Sequence, residues 1–351
     1  MKATLTYGVK DVRVENISDA KIIETTDAIV KVTAGGICGT DLHIYRGHFQ
    51  LDEGIGVGHE FVGRIEEVGN EVKSFKKGDK VVAPFWVSCG KCYFCQKGLT
   101  TSCLNGGCFG LGGLLGDEPG CQAEYVTVPH AEGTLVKVPD SLSDDSNDEK
   151  TLFLGDNIST GYHGAVCGEI KPNDTVVVLG DGAVGLFATY GATLFNPSRI
   201  ITIGHHDHRL KIAEQYGADI TINSKNQDIE KNIMDLTNGI GADVVIECIG
   251  TSEGLMECLK IVRPGGNVSF VGLFFEPFPL DITDFFLRNL TLRGGVAPAR
   301  TYIPELMPLV ESGELDPTLV ISHRISLDEV PKGYELMNNK TEGAIKIIFN
   351  P

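Results

Sequence analysis

The sequence predicts an α/β protein with two domains, one rich in short β-strands and one built on a doubly wound parallel sheet. The chain has 351 residues, which favours two hydrophobic cores over one. Its first 150 residues consist of short β-type runs separated by glycine-rich turns. From about Thr151 onward, continuous apolar runs alternate with helical patterns, as in parallel strands that are buried on both faces.

The strands of the β-rich part are predicted where β-branched and apolar residues cluster between turn residues. These runs are Ala28–Ala34, Phe61–Val68, Lys80–Pro84 and Glu124–Pro129. The segment SLSDDSNDEK at 141–150 is acidic and polar, and it predicts a solvated loop at a domain boundary.

The second part is predicted from apolar runs of strand length that alternate with helical patterns. The predicted strands are TVVVLG, IITIG, ADITIN, ADVVIECIG and NVSFVGL. Two further helical patterns, at Tyr302–Ser312 and Leu327–Lys340, precede a closing strand, AIKIIF.

The composition narrows the functional classes. The chain has 47 acidic and 30 basic residues, a net charge of −17, and no basic stripe, so we expect no nucleic-acid partner. No apolar run reaches the roughly 18 residues of a membrane span, and the N-terminus lacks a signal-like apolar core. We therefore expect a cytoplasmic protein without a membrane partner. In that compartment clustered cysteines are typically metal ligands or catalytic groups rather than disulfides.

A glycine-rich turn follows the first strand of the second part. TVVVLGDGAVG places Gly180, Gly182 and Gly185 in a G-x-G-x-x-G pattern, with Ala183 and Val184 opening the next helix. The first glycine permits a tight turn, the second lets a pyrophosphate approach the backbone, and the third lets the helix pack on the strand. The pattern predicts a dinucleotide site; the alternative is an ordinary glycine-rich turn.

The end of the next strand bears on the choice of dinucleotide. Enzymes that use NAD place an acidic residue there for the adenosine ribose, whereas this chain has Gly204. Glycine would leave room for a 2′-phosphate, and His205, His206 and Arg209 could bind it. We therefore predict NADP(H). In the alternative, Asp207 reaches the ribose and the cofactor is NAD(H).

Four cysteines lie within 15 residues, in the segment CGKCYFCQKGLTTSC. The C-x2-C-x2-C-x7-C spacing of Cys89, Cys92, Cys95 and Cys103 supplies the four thiolates of a closed tetrahedral zinc site. An iron–sulfur cluster is the alternative, because it also uses four thiolates. A closed zinc site would stabilise this segment and perform no chemistry.

A second, dispersed set of residues has the chemistry of a catalytic zinc site, which uses three protein ligands and water. These candidates come from GGICGTDLH, GVGHEFVG and LGDNISTGYHGA: Cys38, Thr40, Asp41, His43, His59, Glu60, Asp156 and Thr160. Their separation in sequence does not show by itself that they meet.

Together these motifs resemble those of the zinc-dependent medium-chain alcohol dehydrogenases, over essentially the whole chain. G-H-E-x-x-G at Gly58–Gly63, C-G-T-D-x-H from Cys38, the four-cysteine segment and the glycine-rich turn occur in the family's order. The resemblance implies a GroES-like catalytic domain at 1–153 and 296–351, with a structural zinc lobe at 89–103. It also implies an inserted Rossmann dinucleotide-binding domain at 154–295.

The resemblance further implies that Cys38, His59 and Asp156 bind the catalytic zinc, with Glu60 as a carboxylate that exchanges with water or substrate. Zinc would lower the pKa of the bound alcohol, as it does for water. Thr40 would then pass the hydroxyl proton through the cofactor ribose to His43, whose pKa suits a shuttle near neutrality. Residues at strand ends or near the nicotinamide complete the expected cofactor site: Thr160, Gly250, Gly272, Leu273 and Val296.

The predicted function is reversible hydride transfer between a primary or secondary alcohol, or the matching carbonyl compound, and NADP(H), with two zinc ions per chain. One alternative is an NAD-dependent polyol, threonine or formaldehyde dehydrogenase on the same scaffold. Another is a zinc-stabilised nucleotide-binding protein without turnover. The resemblance also suggests a homodimer or homotetramer.

Overall fold

The computed structural model describes residues 1–49, 51–113 and 115–351. It divides into two compact units, Met1–Ser159 with Pro298–Pro351 and Thr160–Ala297. Both limits lie a few residues beyond those expected from the sequence. In the first unit, the carbonyl of Gly155 accepts the backbone N–H of Phe85 at 3.1 Å.

The strands of the described chain are short and punctuated by turns. They are β1 (Lys2–Gly8), β2 (Asp11–Asn16), β3 (Ala28–Ile37), β4 (Ile55–Gly56), β5 (Phe61–Val68), β6 (Lys80–Ala83), β7 (Tyr125–Val128), β8 (Val136–Lys137), β9 (Thr175–Leu179), β10 (Arg199–Gly204), β11 (Ile220–Asn223), β12 (Ala242–Glu247), β13 (Val262–Phe270), β14 (Thr291–Gly294), β15 (Ile321–Ser326) and β16 (Lys346–Asn350).

The helices are concentrated in the second unit and the C-terminal segment. They are α1 (Gly39–Tyr45), α2 (Tyr93–Gln96), α3 (Ala131–Thr134), α4 (Asp148–Thr151), α5 (Asn157–Gly168), α6 (Ala183–Thr193), α7 (Asp207–Gln215), α8 (Ile229–Leu236), α9 (Ser252–Ile261), α10 (Ile282–Leu287), α11 (Ala299–Ser312) and α12 (Val330–Asn339). Short 3₁₀ turns occupy Thr100–Ser102, Asp140–Leu142, Asp145–Asn147, Leu152–Gly155, Pro317–Val320 and Leu327–Glu329.

The second unit is a six-stranded parallel sheet in the order β11-β10-β9-β12-β13-β14. The strand order reverses beside β9, so the carboxyl ends of β9 and β12 border the crevice where this architecture binds ligands. Apolar side chains on both faces of the sheet form two clusters, one centred on Val177 and Val245 and one on Val176 and Ile246. The predicted doubly wound sheet is confirmed.

The first unit is built on a seven-stranded sheet in the order β15-β16-β3-β5-β6-β8, with β7 also paired to β3, and on a three-stranded sheet, β2-β1-β4. The predicted β-rich part is confirmed, and the closing strand AIKIIF becomes β16, between β15 and β3. The acidic segment 141–150 differs from the predicted solvated loop. Asp148 is buried because its carboxylate pairs with the buried ammonium of Lys80.

None of the described helices combines the length and the apolar character that a membrane crossing requires.

Candidate active site

Four potential metal ligands from three separate segments meet inside the first unit. Cys38 follows β3, His59 and Glu60 precede β5, and Asp156 follows the turn Leu152–Gly155. One ligand atom from each residue lies within 4.8 Å of the other three, and all four residues are buried. The structure thus brings together the four residues predicted to surround the catalytic zinc.

Two of the distances between donor atoms match the edges of a zinc tetrahedron. Sγ of Cys38 lies 3.4 Å from Oδ2 of Asp156, and Nε2 of His59 lies 3.5 Å from the same oxygen. Zinc bonds to sulfur, nitrogen and oxygen of about 2.0–2.3 Å give tetrahedron edges of about 3.4–3.5 Å. One thiol, one imidazole and one carboxylate at these distances fit a zinc ion with a fourth position left for water or substrate.

Asp41 holds two of these ligands from behind. Its Oδ2 accepts the backbone N–H of Cys38 at 2.8 Å and the amide of Gln122 at 3.2 Å. Its Oδ1 lies 3.1 Å from Nδ1 of His59, so Nε2 of that ring is directed towards Asp156. A carboxylate behind a ligand histidine fixes the ring orientation and raises its basicity. Gln122 is held in turn by the hydroxyl of Tyr334, at 3.1 Å.

The charges at this centre are strongly coupled. Burial, and then the charge of Asp156, raises the pKa of the Cys38 thiol to about 11. Burial would raise the pKa of Asp156, but the hydrogen bond and the charge of His59 outweigh it and hold that pKa below its usual value. Burial would lower the pKa of His59, whereas the charges of Asp41 and Cys38 raise it well above its ordinary value. A divalent cation at this point would favour the thiolate, as zinc ligation requires.

Glu60 is neutralised by a lysine that sequence reasoning missed. The ammonium of Lys346 lies 2.5 Å from Oε2 of Glu60 and donates to Oε1 at 2.6 Å, and Asn157 donates to Oε1 at 3.0 Å. A Cβ on Gly36 would lie 2.1 Å from Oε2, so the glycine makes room for the carboxylate. A signal was present, because a single lysine inside the apolar run AIKIIF must be buried with a partner.

The four-cysteine lobe forms a second centre in the first unit. Sγ of Cys92 lies 3.5 Å from Sγ of Cys95 and 3.9 Å from Sγ of Cys103. Zinc–sulfur bonds of about 2.3 Å give sulfur–sulfur edges of about 3.8 Å. Backbone N–H groups of Cys89 and Asn105 point at Sγ of Cys103, at 3.2 and 3.4 Å. Hydrogen bonds from the backbone of Cys95 and Leu104 lower the pKa of Cys92 to about 6, which favours its thiolate.

The glycine-rich turn of the second unit has the geometry that dinucleotide binding requires. Gly180 has a φ of +129°, which only glycine adopts readily. A Cβ on Gly185 would lie 2.0 Å from the carbonyl oxygen of Gly180, so α6 packs tightly against the end of β9. A Cβ on Gly182 would meet no protein atom within 4 Å, which leaves the backbone at the start of α6 open to a pyrophosphate. Ala183 and Val184 form the first turn of that helix.

Two neighbouring strand ends meet beside this turn. Gly250 follows β12 and has a φ of +82°. A Cβ on Gly272 would lie 2.2 Å from the backbone nitrogen of Gly250, so the two strand ends are in close contact. Glu247, which the sequence reasoning did not single out, ends β12 and accepts the backbone N–H groups of Ile249 and Gly250 at 2.8 Å each. Leu273 and Val296, two more of the predicted cofactor residues, are 39% and 49% exposed. Thr160 is the first residue of the second unit and lies in α5.

Comparison with known proteins decides the family. Residues 24–140 match the model of the alcohol dehydrogenase GroES-like domain, and residues 183–312 match that of the zinc-binding dehydrogenases. The chain is 35% identical to an alcohol dehydrogenase of Cupriavidus necator over 94% of this chain and 93% of that protein. It is 33% identical to the NADP-dependent isopropanol dehydrogenase of Thermoanaerobacter brockii over 91% of each chain. The match to the solved structure of alcohol dehydrogenase TADH from Thermus sp. ATN1 covers 100% of this chain and 99% of that chain, at 37% identity and a TM-score of 0.92.

The chain belongs to the zinc-dependent medium-chain alcohol dehydrogenase family. The predicted family and fold class are therefore confirmed, and the β-rich unit is the GroES-like one.

The two residues of the predicted proton path lie on one helix, but the pKa of His43 differs from the prediction. Thr40 and His43 lie on α1, which begins directly after Cys38. Nδ1 of His43 lies 3.0 Å from Nδ1 of His48. Burial, and then the charges of His48 and Arg46, lowers the pKa of His43 to about 4. The expectation that His43 titrates near neutrality therefore differs from what the structure shows, and its imidazole is neutral at pH 7.

The end of β10 also differs from the expectation for an NADP-dependent alcohol dehydrogenase. A Cβ on Gly204 would lie 2.5 Å from Cβ and 2.6 Å from Oδ2 of Asp181, so the space that glycine was expected to leave is filled by this carboxylate. Asp181 accepts the backbone N–H groups of His205 and His206 at 2.7 and 2.8 Å. NH1 of Arg209 lies 3.6 Å from its Oδ1. The residues predicted to bind a 2′-phosphate, His205, His206 and Arg209, thus lie close to the carboxylate of Asp181.

Proposed function

We propose that this zinc-type alcohol dehydrogenase oxidises a primary or secondary alcohol, and reduces the matching carbonyl compound, with Cys38, His59 and Asp156 as ligands of the catalytic zinc. The observation that carries the proposal is the convergence of a thiol, an imidazole and a carboxylate at tetrahedral spacing inside one unit. A buried site with three such protein ligands is the arrangement of catalytic zinc rather than structural zinc.

Cys38, His59 and Asp156 would hold a zinc ion, which would supply a Lewis acid for the oxygen of an alcohol or a carbonyl compound. Asp41 keeps the ring of His59 in the orientation that presents Nε2. Glu60, held by Lys346 and Asn157, offers a carboxylate that can exchange with water or substrate. Thr40 provides the hydroxyl group that holds the proton of the substrate, and the imidazole of His43, whose pKa is about 4, can relay this proton at pH 7 but not retain it.

We assign a structural zinc ion to Cys89, Cys92, Cys95 and Cys103. Four thiols at tetrahedral spacing leave no position open for substrate, so this ion would stabilise the lobe and take no part in turnover. We therefore propose two zinc ions per chain, one at each centre.

The choice of cofactor has two candidates. NADP(H), the predicted cofactor, is supported by Arg209 near the end of β10 and by the similarity to an NADP-dependent isopropanol dehydrogenase. NAD(H), the alternative, is favoured by the carboxylate of Asp181, which lies where a 2′-phosphate was expected to fit. Both candidates use the glycine-rich turn Gly180–Gly185 for the pyrophosphate.

We also propose a homodimer or homotetramer. β14 is an edge strand of the parallel sheet, and no other strand of the described residues pairs with its outer side, so its backbone is available to pair with a second copy. Light scattering at several concentrations tests this, and a monomer at all of them would reject it.

One experiment tests the proposed function. The purified chain is assayed for zinc content and for oxidation of primary alcohols, secondary alcohols, polyols and threonine, each with NAD+ and with NADP+. We expect two zinc ions per chain and turnover of at least one alcohol class. A protein that contains both ions, binds a dinucleotide and turns over nothing would instead be a nucleotide-binding protein without catalysis.

A further inference from the structure

The glycine-rich turn contains a buried carboxylate that the family pattern does not require. Asp181 lies between Gly180 and Gly182 and is 8% exposed. Its Oδ2 accepts three N–H groups, from the backbone of His205 and of His206 and from Nδ1 of His206 at 2.9 Å. These bonds tie the turn after β9 to the turn after β10, so the position of the carboxylate is fixed.

This carboxylate occupies the position from which an acidic side chain at the end of β10 would extend. A Cβ built on Gly204 would lie 2.5 Å from Cβ, 2.7 Å from Cγ and 2.6 Å from Oδ2 of Asp181. Real Cβ atoms do not approach other heavy atoms so closely, so residue 204 can carry a side chain only if Asp181 moves. The acid that binds the adenosine ribose in NAD enzymes therefore has no room at residue 204, because the side chain of Asp181 fills the space in which that side chain would begin.

The charges around this carboxylate do not suit a phosphate group. Two positive charges, those of Arg209 and Lys225, lie near two negative charges, those of Asp181 and Asp207. Oδ1 of Asp207 accepts a hydrogen bond from the side-chain amide of Asn223. Burial lowers the pKa of His206, although Asp181 acts against the shift, so burial disfavours the charged form of this ring. A phosphate dianion beside Arg209 would also meet the carboxylate of Asp181, which repels it.

We propose that Asp181 determines the cofactor specificity of this chain: its carboxylate, supplied from the glycine-rich turn, binds the adenosine ribose hydroxyl groups and disfavours a 2′-phosphate. The proposal rests on the proposed dehydrogenase function only in so far as the second unit binds a nicotinamide dinucleotide. It makes Arg209 and His206 the partners that hold the acid rather than the groups that bind a phosphate.

The test measures equilibrium binding of NAD+ and of NADP+ by calorimetry, without any alcohol substrate. The proteins are the unmodified full chain and the variants Asp181→Asn and Asp181→Ser. The control is Asp207→Asn, which removes one negative charge at a neighbouring position. We expect the ratio of the dissociation constants, NADP+ over NAD+, to fall at least about tenfold in both Asp181 variants and to change less than about twofold in Asp207→Asn. Thermal unfolding of each variant controls for folding.

A second measurement needs no variant and decides the question if the Asp181 variants do not fold. The unmodified chain is titrated with adenosine 5′-monophosphate and with adenosine 2′,5′-bisphosphate, and the monophosphate should bind at least about tenfold more tightly. The proposal is overturned if the bisphosphate binds as tightly or better, or if the NADP+ over NAD+ ratio is unchanged or rises in the Asp181 variants. It is also overturned if Asp207→Asn shifts that ratio as much as Asp181→Asn. An absence of alcohol turnover would reject the proposed function and leave these binding ratios measurable.

Discussion

The ammonium group of Lys346 lies 2.5 Å from Oε2 of Glu60, and both side chains are almost completely buried. The pair joins the last strand of the first unit to the segment that carries His59. Removing two charges from water is costly, and the cost is offset here by mutual attraction and by the amide of Asn157. The pair therefore affects the stability of the first unit, and it sets the net charge next to the proposed metal ligands.

Lys346→Met should destabilise the chain by about 3–5 kcal/mol, because it leaves the carboxylate of Glu60 buried without its counter-charge. Urea denaturation of the zinc-free protein measures this. The double variant Glu60→Gln, Lys346→Met should recover most of the loss, since neither charge is then buried alone. If the single variant is as stable as the parent, the two side chains do not form a pair in solution.

His59→Ala should remove the catalytic zinc and abolish alcohol oxidation while the fold is retained, because one of the three proposed protein ligands is lost. Metal analysis should find one zinc ion per chain instead of two. The matched control is His323→Ala on β15, outside both metal centres, which should retain two ions and full turnover. Two zinc ions in His59→Ala would place the catalytic metal elsewhere.

Cys92→Ser should remove the zinc of the four-cysteine lobe and lower the thermal unfolding temperature, while the catalytic ion remains. The reason is that a structural site with three thiolates loses both affinity and its closed geometry. Zinc content and differential scanning calorimetry are the measurements. The control is Cys258→Ser, which replaces a thiol buried in the second unit and should keep both ions. Loss of both ions in Cys92→Ser would contradict two independent centres.

Gly182→Ala and Gly185→Ala should separate cofactor binding from stability. The added Cβ at residue 182 meets no protein atom within 4 Å, so this variant should fold normally and bind the dinucleotide more weakly, by about tenfold or more. The added Cβ at residue 185 would lie 2.0 Å from the carbonyl of Gly180, so that variant should lose stability as well. Calorimetric binding and thermal unfolding are measured on both. Equal effects of the two substitutions on stability would contradict this geometry.

Glu247 should make the chain less stable as the pH rises. Burial raises the pKa of this carboxyl to about 7 despite the N–H groups that it accepts from Gly250 and Ile249. Between the unfolded value near 4.3 and about 7 the folded chain therefore binds more protons than the unfolded one, so the free energy of unfolding falls across this window. Glu247→Gln, which cannot ionise, should remove a fall on the order of 2 kcal/mol between pH 5 and 8. Glu253→Gln, at an exposed position, should leave the pH profile of the parent unchanged.

The features that could be identified from the residues alone are those whose signal is local. The glycine-rich turn and the four cysteines lie within short segments, and the apolar runs of the parallel sheet are long enough to identify without tertiary information. By contrast, the meeting of Cys38, His59 and Asp156 spans more than a hundred residues, and only the family resemblance suggested it.

Two side chains escaped prediction because their partners are distant in sequence. Lys346 finds Glu60 286 residues away, and no sequence periodicity reports such a pair. Asp181 turns towards the end of β10, 24 residues on, where the sequence pattern suggested an open space beside Gly204. The pKa of His43 was misjudged for the same reason, because its burial and its contact with His48 are tertiary properties.

The position of Lys346 on β16 has a consequence for biosynthesis. Because β16 follows every other described element, the ribosome delivers Glu60 and its neighbours long before the group that neutralises the carboxylate. The nascent first unit must wait for this strand to insert between β3 and β15, while the parallel sheet of the second unit can complete itself earlier. A chain that stopped upstream of β16 would thus contain every strand of the parallel sheet, but its first unit would hold the carboxylate of Glu60 without its counter-charge and a sheet that lacks the strand between β3 and β15.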